Sequence, residues 1–245
     1  VDDAPTLDTN TGATVAEGAT IGITTGELSG SDNDTASTAL VYTVTVAPVN
    51  GQLELTSGPG VAITSFTQDD LDNGLVVYVH DGSETTSDSF DFTLGDATTT
   101  LATDTFNLTV TPVNDGPQLT VTNPAVNIAE GGTQLIDNGI LAGSDSDDTA
   151  TGITYTASNI TNGQLEFVAA PGVAITSFTQ DDIDNNLVQF VHDSSNTLTG
   201  SFDVSLADGG EDGAVPATGT VTIGINAVDD APTLDTNTGA TVAEG

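Results

Sequence analysis

The chain repeats itself, so whatever it folds into must accommodate the same pattern more than once. Val61–Asp72 reads VAITSFTQDDLD and Val173–Asp184 reads VAITSFTQDDID, with only Leu71 and Ile183 differing. Asn50-Gly-Gln-Leu-Glu54 returns as Asn162-Gly-Gln-Leu-Glu166, and Tyr78-Val-His-Asp81 as Phe190-Val-His-Asp193. The offset in each case is 112 residues. A longer recurrence encloses this one, because Val1–Gly18 reappears unchanged as Val228–Gly245, an offset of 227. Self-similarity at a fixed period is the signature of tandem structural units. The expected units are 1–112 and 113–227, with 228–245 opening the next copy of the first. The long period reads as a window onto a tandem array.

Strand signals fill each unit. Leu40, Tyr42, Val44 and Val46 alternate with Val41, Thr43 and Thr45. Phe90, Phe92 and Leu94 alternate with Asp91 and Thr93, and Phe106, Leu108 and Val110 with Asn107 and Thr109. That period of two is the mark of half-buried strands. Gln52–Thr56 and Leu75–Val79 read as further strands. Asn50-Gly51 and Asn73-Gly74 supply turn residues that accept positive φ. Phe90, Phe92, Phe106, Tyr42 and Tyr155 are expected in the core. Helix-capable stretches are nearly absent, and Asp outnumbers Glu 28 to 8, which favours turns, caps and hard-cation loops over helices. About seven short strands in each unit, separated by turn signals, describe an all-β fold of tandem seven-strand Greek-key β-sandwich domains. The Pro that follows each Val-Asp-Asp-Ala or Val-Asn-Asp-Gly holds the chain extended, which suits a domain boundary.

Composition removes whole classes of function. There are 36 acidic residues, no Lys or Arg and no Cys, and the formal charge is -36. Schiff bases, arginine clamps for phosphate and thiolate chemistry are all excluded. Nucleic acid and anionic membrane surfaces both need a basic footprint, so neither is an expected partner. No apolar run approaches the roughly 18 residues of a membrane span. No signal peptide opens the chain, and a segment of a longer protein would not display one.

The acidic residues fall in five recurrent sets. The boundaries carry Asp2 and Asp3, Asn114 and Asp115, and Asp229 and Asp230. Asp-x-Asp loops carry Asp32 and Asp34, then Asp145 and Asp147 with Asp148 beside them. Ala-Glu-Gly segments carry Glu17, Glu130 and Glu244. His-Asp pairs carry Asp81 and Asp193, and Asp96 and Asp208 follow the Phe-Asp-x-x-Leu and Phe-Asp-Val-Ser-Leu strands. Carboxylates two apart in an irregular loop can converge on one cation, and calcium takes six to eight such oxygens at about 2.3–2.6 Å. With no side-chain cation except histidine, bound divalent ions would also offset self-repulsion. His80 and His192 read as strand-end residues of the repeat, since one His per unit makes a poor transition-metal site. Asp69-Asp70 and Asp181-Asp182 raise the question of a glycosidase, but adjacent carboxylates in a duplicated repeat carry no such signal. No nucleophile elbow is present. The chain is not expected to be an enzyme. Asn33, Asn107 and Asn159 open glycosylation sequons, a short and weak pattern.

The order FTQDDLDN, VYVHDGSE, DSFDFTLGD and VNDGP resembles the cadherin-like repeats of large bacterial surface proteins, and in particular the repeat named for chondroitin sulfate proteoglycan ectodomains. The resemblance covers nearly the whole chain. It implies seven-strand sandwiches arranged head to tail, with Ca²⁺ at the junctions. Glu17 resembles the glutamate near the start of a cadherin domain, and Asp81 the Asp of its Asp-Arg-Glu motif. Asn114 and Asp115 resemble the linker pair, Asp145 and Asp147 the Asp-x-Asp of the following domain, and Asp208 its late-strand Asp. The next junction would use Glu130, Asp193, Asp229 and Asp230, with the following copy supplying equivalents of Asp32, Asp34 and Asp96. The sequence departs from that pattern in three places. The linker is one residue short, Asp81-Gly82-Ser83 lacks the Arg and the Glu, and Asp229 replaces Asn. One or two ions per junction are therefore expected. The function implied is the structural repeat of a giant extracellular or cell-surface filament, its partners being neighbouring identical repeats. The alternative is an adhesin module that holds a glycan or another cell surface.

Overall fold

A computed structural model describes residues 3–122, 126–210 and 215–239 together with 241, 242 and 244. The chain divides into two compact units, Val1–Val113 and Asn114–Gly245. Asp2 lies outside the described residues.

In the first unit, strands β1 (Thr6–Asn10), β2 (Ala13–Ala16), β3 (Thr20–Gly22), β4 (Leu28–Ser31) and β5 (Val41–Val46) precede β6 (Gly51–Leu55) and β7 (Ser65–Thr67). A one-turn helix, α1 (Gln68–Asp72), leads to β8 (Val76–His80), β9 (Ser87–Gly95) and β10 (Asp104–Thr111). One sheet runs β2-β10-β9-β5-β7, a second runs β3-β8-β6, and β1 pairs with β4. The inward faces of the strands meet in a core that includes Tyr42, Tyr78, Phe90, Phe92 and Phe106, all at most 1% exposed. Phe90 stacks on Phe106 with ring centroids 5.1 Å apart, and Tyr42 on Phe66 at 4.9 Å. Burying each side chain of this size contributes about 1.5–3 kcal/mol.

The second unit repeats the plan. Its strands are β11 (Gln118–Val121), β12 (Asn127–Ala129), β13 (Thr133–Leu135), β14 (Leu141–Ser144), β15 (Thr154–Thr161) and β16 (Gly163–Phe167). Then come β17 (Ala174–Ile175), β18 (Ser177–Thr179), helix α2 (Gln180–Asp184), β19 (Val188–His192), β20 (Thr199–Ala207) and β21 (Ala217–Asn226). The five-stranded sheet is β12-β21-β20-β15-β18, the facing one β13-β19-β16-β17, and β11 pairs with β14.

The expected seven strands arrive in more pieces, because the first two are each broken. After β1, the chain turns at Gly12 (φ 72), where a Cβ would sit 2.4 Å from the Asn107 carbonyl oxygen. It then pairs in parallel with β10 as β2. The second strand splits at the Thr24–Glu27 turn into β3 and β4, and β7 is an extra short edge strand. Two sequence expectations fail locally. Val46 should face inward by alternation but is 54% exposed, because a bulge between Val44 and Val46 shifts the register against β9. Gly51 does not adopt positive φ. It is a strand residue at which a Cβ would lie 2.4 Å from the Val79 carbonyl oxygen and 2.6 Å from the Tyr78 hydroxyl. In the second copy the left-handed turn residue is Asn162, at φ 56.

Val228–Gly245 has the sequence of Val1–Gly18, yet its described residues form no strand. The copy at the start of the chain becomes β1 and β2 by pairing with β4 and β10.

Candidate cation sites of the two units

Each unit carries a leading cluster of carboxylates beside its first residues. In the first unit, Asp32 Oδ1 accepts the backbone N–H of Asp34 (2.8 Å) and Thr35 (2.9 Å), which folds the Asp-x-Asp loop around itself. Asp34 Oδ2 accepts the N–H of Asp3 at 3.3 Å, tying the loop to the start of the unit. Asp96, just after β9, accepts the N–H of Thr98 and Thr99 at 2.6 Å each. Those two donors hold its carboxyl below the usual carboxylate range, against the opposing negative charge of Asp32. The N–H of Asp34 has the same effect on Asp32.

The second unit reproduces the cluster with more linker contacts. Asp145 Oδ1 accepts the N–H of Asp147 (2.8 Å) and Asp148 (3.1 Å). Asp147 Oδ2 accepts the N–H of Asp115 at 2.7 Å. The Asn114 side-chain amide donates to Asp208 Oδ2 at 2.7 Å, and Gly210 N–H to Asp208 Oδ1 at 2.8 Å. Asn114, then Gly210, hold buried Asp208 below the carboxylate range. The structure thus brings Asn114, Asp115, Asp145, Asp147 and Asp208 into one hydrogen-bonded group.

A trailing cluster gathers around the last strand of each unit. Glu17 N–H donates to the Thr111 carbonyl at 2.9 Å, and Glu17 Oε2 accepts the N–H of Val113 at 3.3 Å. In the second unit Glu130 bonds the Asn226 carbonyl at 3.0 Å and the N–H of Val228 at 3.2 Å. Asp81 and Asp193 each accept a serine N–H two residues on, Ser83 and Ser195, at 3.0 Å. Asp229 is exposed. Asp230 lies with Glu130 around the Asn196 side chain, whose amide reaches Glu130 Oε1 at 2.8 Å and Asp230 Oδ2 at 3.3 Å when its nitrogen faces them.

Sequence reasoning missed Glu84 and Asn196. Glu84 offers a carboxylate oxygen within 4.8 Å of one from Glu17. The acid expected two residues after Asp81 stands three residues after it, with the duplicated position held by Asn196. The signal available was that both are oxygen donors at the same place in the repeat.

His80 and His192 occupy the same environment and are each 3% exposed. His80 Nδ1 accepts the N–H of Gly18 (3.1 Å) and Gly82 (3.2 Å), and Nε2 meets Thr85 Oγ1 at 3.1 Å. The FTQDD motif also has a structural assignment. Asp70 accepts the N–H of Thr67 at 2.7 Å while Thr67 Oγ1 accepts that of Asp70 at 3.1 Å, a capping box that starts α1. Thr179 and Asp182 do the same for α2. Among these adjacent carboxylates, Asp70 and Asp182 are therefore helix caps.

The clusters fit a hard cation by one direct test. Glu17 Oε1, Asp32 Oδ2, Asp96 Oδ2 and Asp145 Oδ2 are inaccessible to solvent and have no hydrogen-bond partner. A carboxylate oxygen in that position is costly unless something positive meets it. No lysine or arginine exists in the chain to do so.

A cadherin-like family model matches residues 5–110 and 117–223. Human extracellular matrix organizing protein FRAS1 is 35% identical over 215 residues, which cover 84% of this chain and 5% of that protein. Human chondroitin sulfate proteoglycan 4 is 35% identical over 165 residues, 66% of this chain and 7% of that protein. Among solved structures, repeats EC22-24 of mouse cadherin-23 align with TM-score 0.52 at 19% identity, covering 94% of this chain and 68% of theirs. Extracellular cadherin domains 1–5 of protocadherin gamma B2 align with TM-score 0.53 at 12% identity, covering 93% of this chain and 40% of theirs. At such identities the likeness shows the fold.

Proposed function

Because this chain belongs to the cadherin-like family, we propose that it is a structural segment of an extracellular repeat array, stiffened by calcium held in its carboxylate clusters. The observation that carries this reading is the set of four buried, partnerless carboxylate oxygens in a chain without lysine or arginine. The leading ligands would be Asp32, Asp34 and Asp96 in the first unit, and Asn114, Asp115, Asp145, Asp147 and Asp208 in the second. The trailing ligands would be Glu17, Glu84 and Asp81, and then Glu130, Asp193, Asn196, Asp229 and Asp230. Bound calcium would supply a fixed positive charge that several loops share, and so resist their separation. The loops already hold one oxygen of Asp32, Asp96 and Asp145 by backbone N–H groups, which leaves the other oriented for a ligand.

The relatives' names, an extracellular matrix organizing protein and a proteoglycan, favour an extracellular setting. The role is mechanical rather than catalytic, and the partners are neighbouring repeats of the same array. Small-angle scattering of the 245-residue chain tests the stiffening. In calcium the distribution of interatomic distances should have a sharp, reproducible maximum extent. In chelator it should broaden as the two units reorient. Identical distributions in both media would contradict the proposal.

A further inference from the structure

We propose that His80 and His192 are positioning residues that hold the trailing ligands in place for the cation. The inference rests on the calcium reading above. Two loops converge on each imidazole through three residues, and each of the three follows a ligand of that reading. Gly18, whose N–H reaches His80 Nδ1 at 3.1 Å, follows Glu17. Gly82, whose N–H reaches the same atom at 3.2 Å, follows Asp81. Thr85, which meets Nε2 at 3.1 Å, follows Glu84. The backbone of His80 joins in, donating its N–H to the Ala19 carbonyl at 3.0 Å.

The second unit provides an independent copy. His192 Nδ1 accepts the N–H of Gly131 (3.1 Å) and Ser194 (3.2 Å), beside Glu130 and Asp193. Its Nε2 meets Thr197 Oγ1 at 3.0 Å, beside Asn196. The histidine, the two backbone donors and the threonine persist where Gly82 has become Ser194 and Glu84 has become Asn196. What stays constant is the hub, and what changes is the oxygen donor it presents. An Nδ1 that accepts two N–H groups carries no proton, so Nε2 carries it and points at the threonine hydroxyl. Each histidine is 3% exposed, so solvent does not compete for these contacts. Outer-shell groups of this kind orient ligands that they never touch the ion to hold.

Asparagine places Oδ1 the same number of bonds from Cα as histidine Nδ1, so it keeps the acceptor for both loops. Leucine removes it. Calcium titration of the 245-residue chain, run at a temperature where each variant is folded in chelator, separates the outcomes. His80→Leu with His192→Leu should weaken calcium binding by about 10–100-fold, and His80→Asn with His192→Asn should stay within about threefold of wild type. A leucine variant that is less stable in chelator but binds calcium as tightly as wild type would overturn the proposal, leaving the histidines as core residues only. If the leucine variant does not fold, nitrogen-15 spectra of the wild type decide. The Nε2–H tautomer, with Gly18 and Gly131 amide signals that move on adding calcium, is expected. The Nδ1–H tautomer or unmoved amides would overturn it. A wild-type chain that binds no calcium would overturn the calcium reading itself, and the wild-type titration tells that failure apart.

Discussion

Replacing Gln180 by leucine is expected to lower the unfolding free energy of the second unit by about 2–6 kcal/mol. Gln180 is only 3% exposed, and its side chain is a junction of four contacts. Oε1 accepts the N–H of Gly143 at 2.7 Å and the hydroxyl of Tyr155 at 2.6 Å. Nε2 donates to Asn138 Oδ1 and Asp184 Oδ1, both at 2.7 Å. Leucine fills the volume but strands the Gly143 and Tyr155 donors, at about 1–3 kcal/mol for each unpaired group. Gln180→Glu keeps the acceptor and sets a carboxylate oxygen against those of Asn138 and Asp184. Its deficit should shrink as pH falls, because the protonated acid regains a donor and its folded-state pKa is raised by those neighbours. Gln68 makes the equivalent contacts to Gly30, Tyr42 and Asp72 at 2.8 Å, so Gln68→Leu should destabilise the first unit similarly. Urea denaturation followed by circular dichroism checks both, and a loss below about 1 kcal/mol would show that the junction does not hold the sheets.

Asp32→Asn and Asp145→Asn should cost much more stability in calcium than in chelator. Each asparagine keeps the Oδ1 that two backbone N–H groups use and puts an amide nitrogen where the partnerless oxygen stood. In chelator two effects oppose each other at Asp32, because the substitution removes the charge that the loop N–H groups favour and also relieves its repulsion of Asp96. Thermal midpoints should therefore change little in chelator. In calcium the same substitution removes a charged ligand, and ligand charge count sets affinity over orders of magnitude. Affinity should fall by at least about tenfold, so the variant midpoints should drop below wild type in calcium. Midpoint shifts of equal size in both media would place these aspartates in solvated turns.

The sandwich was legible because its core is written in alternation. Phe90, Phe92, Leu94, Phe106, Leu108 and Val110 all face inward as their spacing requires. What alternation cannot carry is a bulge, which is why Val46 turned outward. Helices α1 and α2 escaped for a related reason. Each has 5 residues, too few for a helical period, and is specified by a threonine and an aspartate three positions apart. The Asp-x-Asp loops and linker residues were readable as recurrent acidic positions. Glu84 and Asn196 were not, because they stand one residue beyond the expected place. The hub role of His80 was out of reach of sequence, since its partners Gly18 and Gly82 become neighbours only when β8 closes against β3.

Thermal unfolding of the 245-residue chain in calcium and in chelator bears most directly on the central claim. A ligand of the folded state stabilises by mass action, about 2.7 kcal/mol per site at a hundredfold excess over Kd. If the four partnerless carboxylate oxygens belong to cation sites, the midpoint in calcium should stand well above that in chelator and rise with calcium concentration. Superimposable melts across that range would contradict the account and leave the carboxylate clusters as acidic turns.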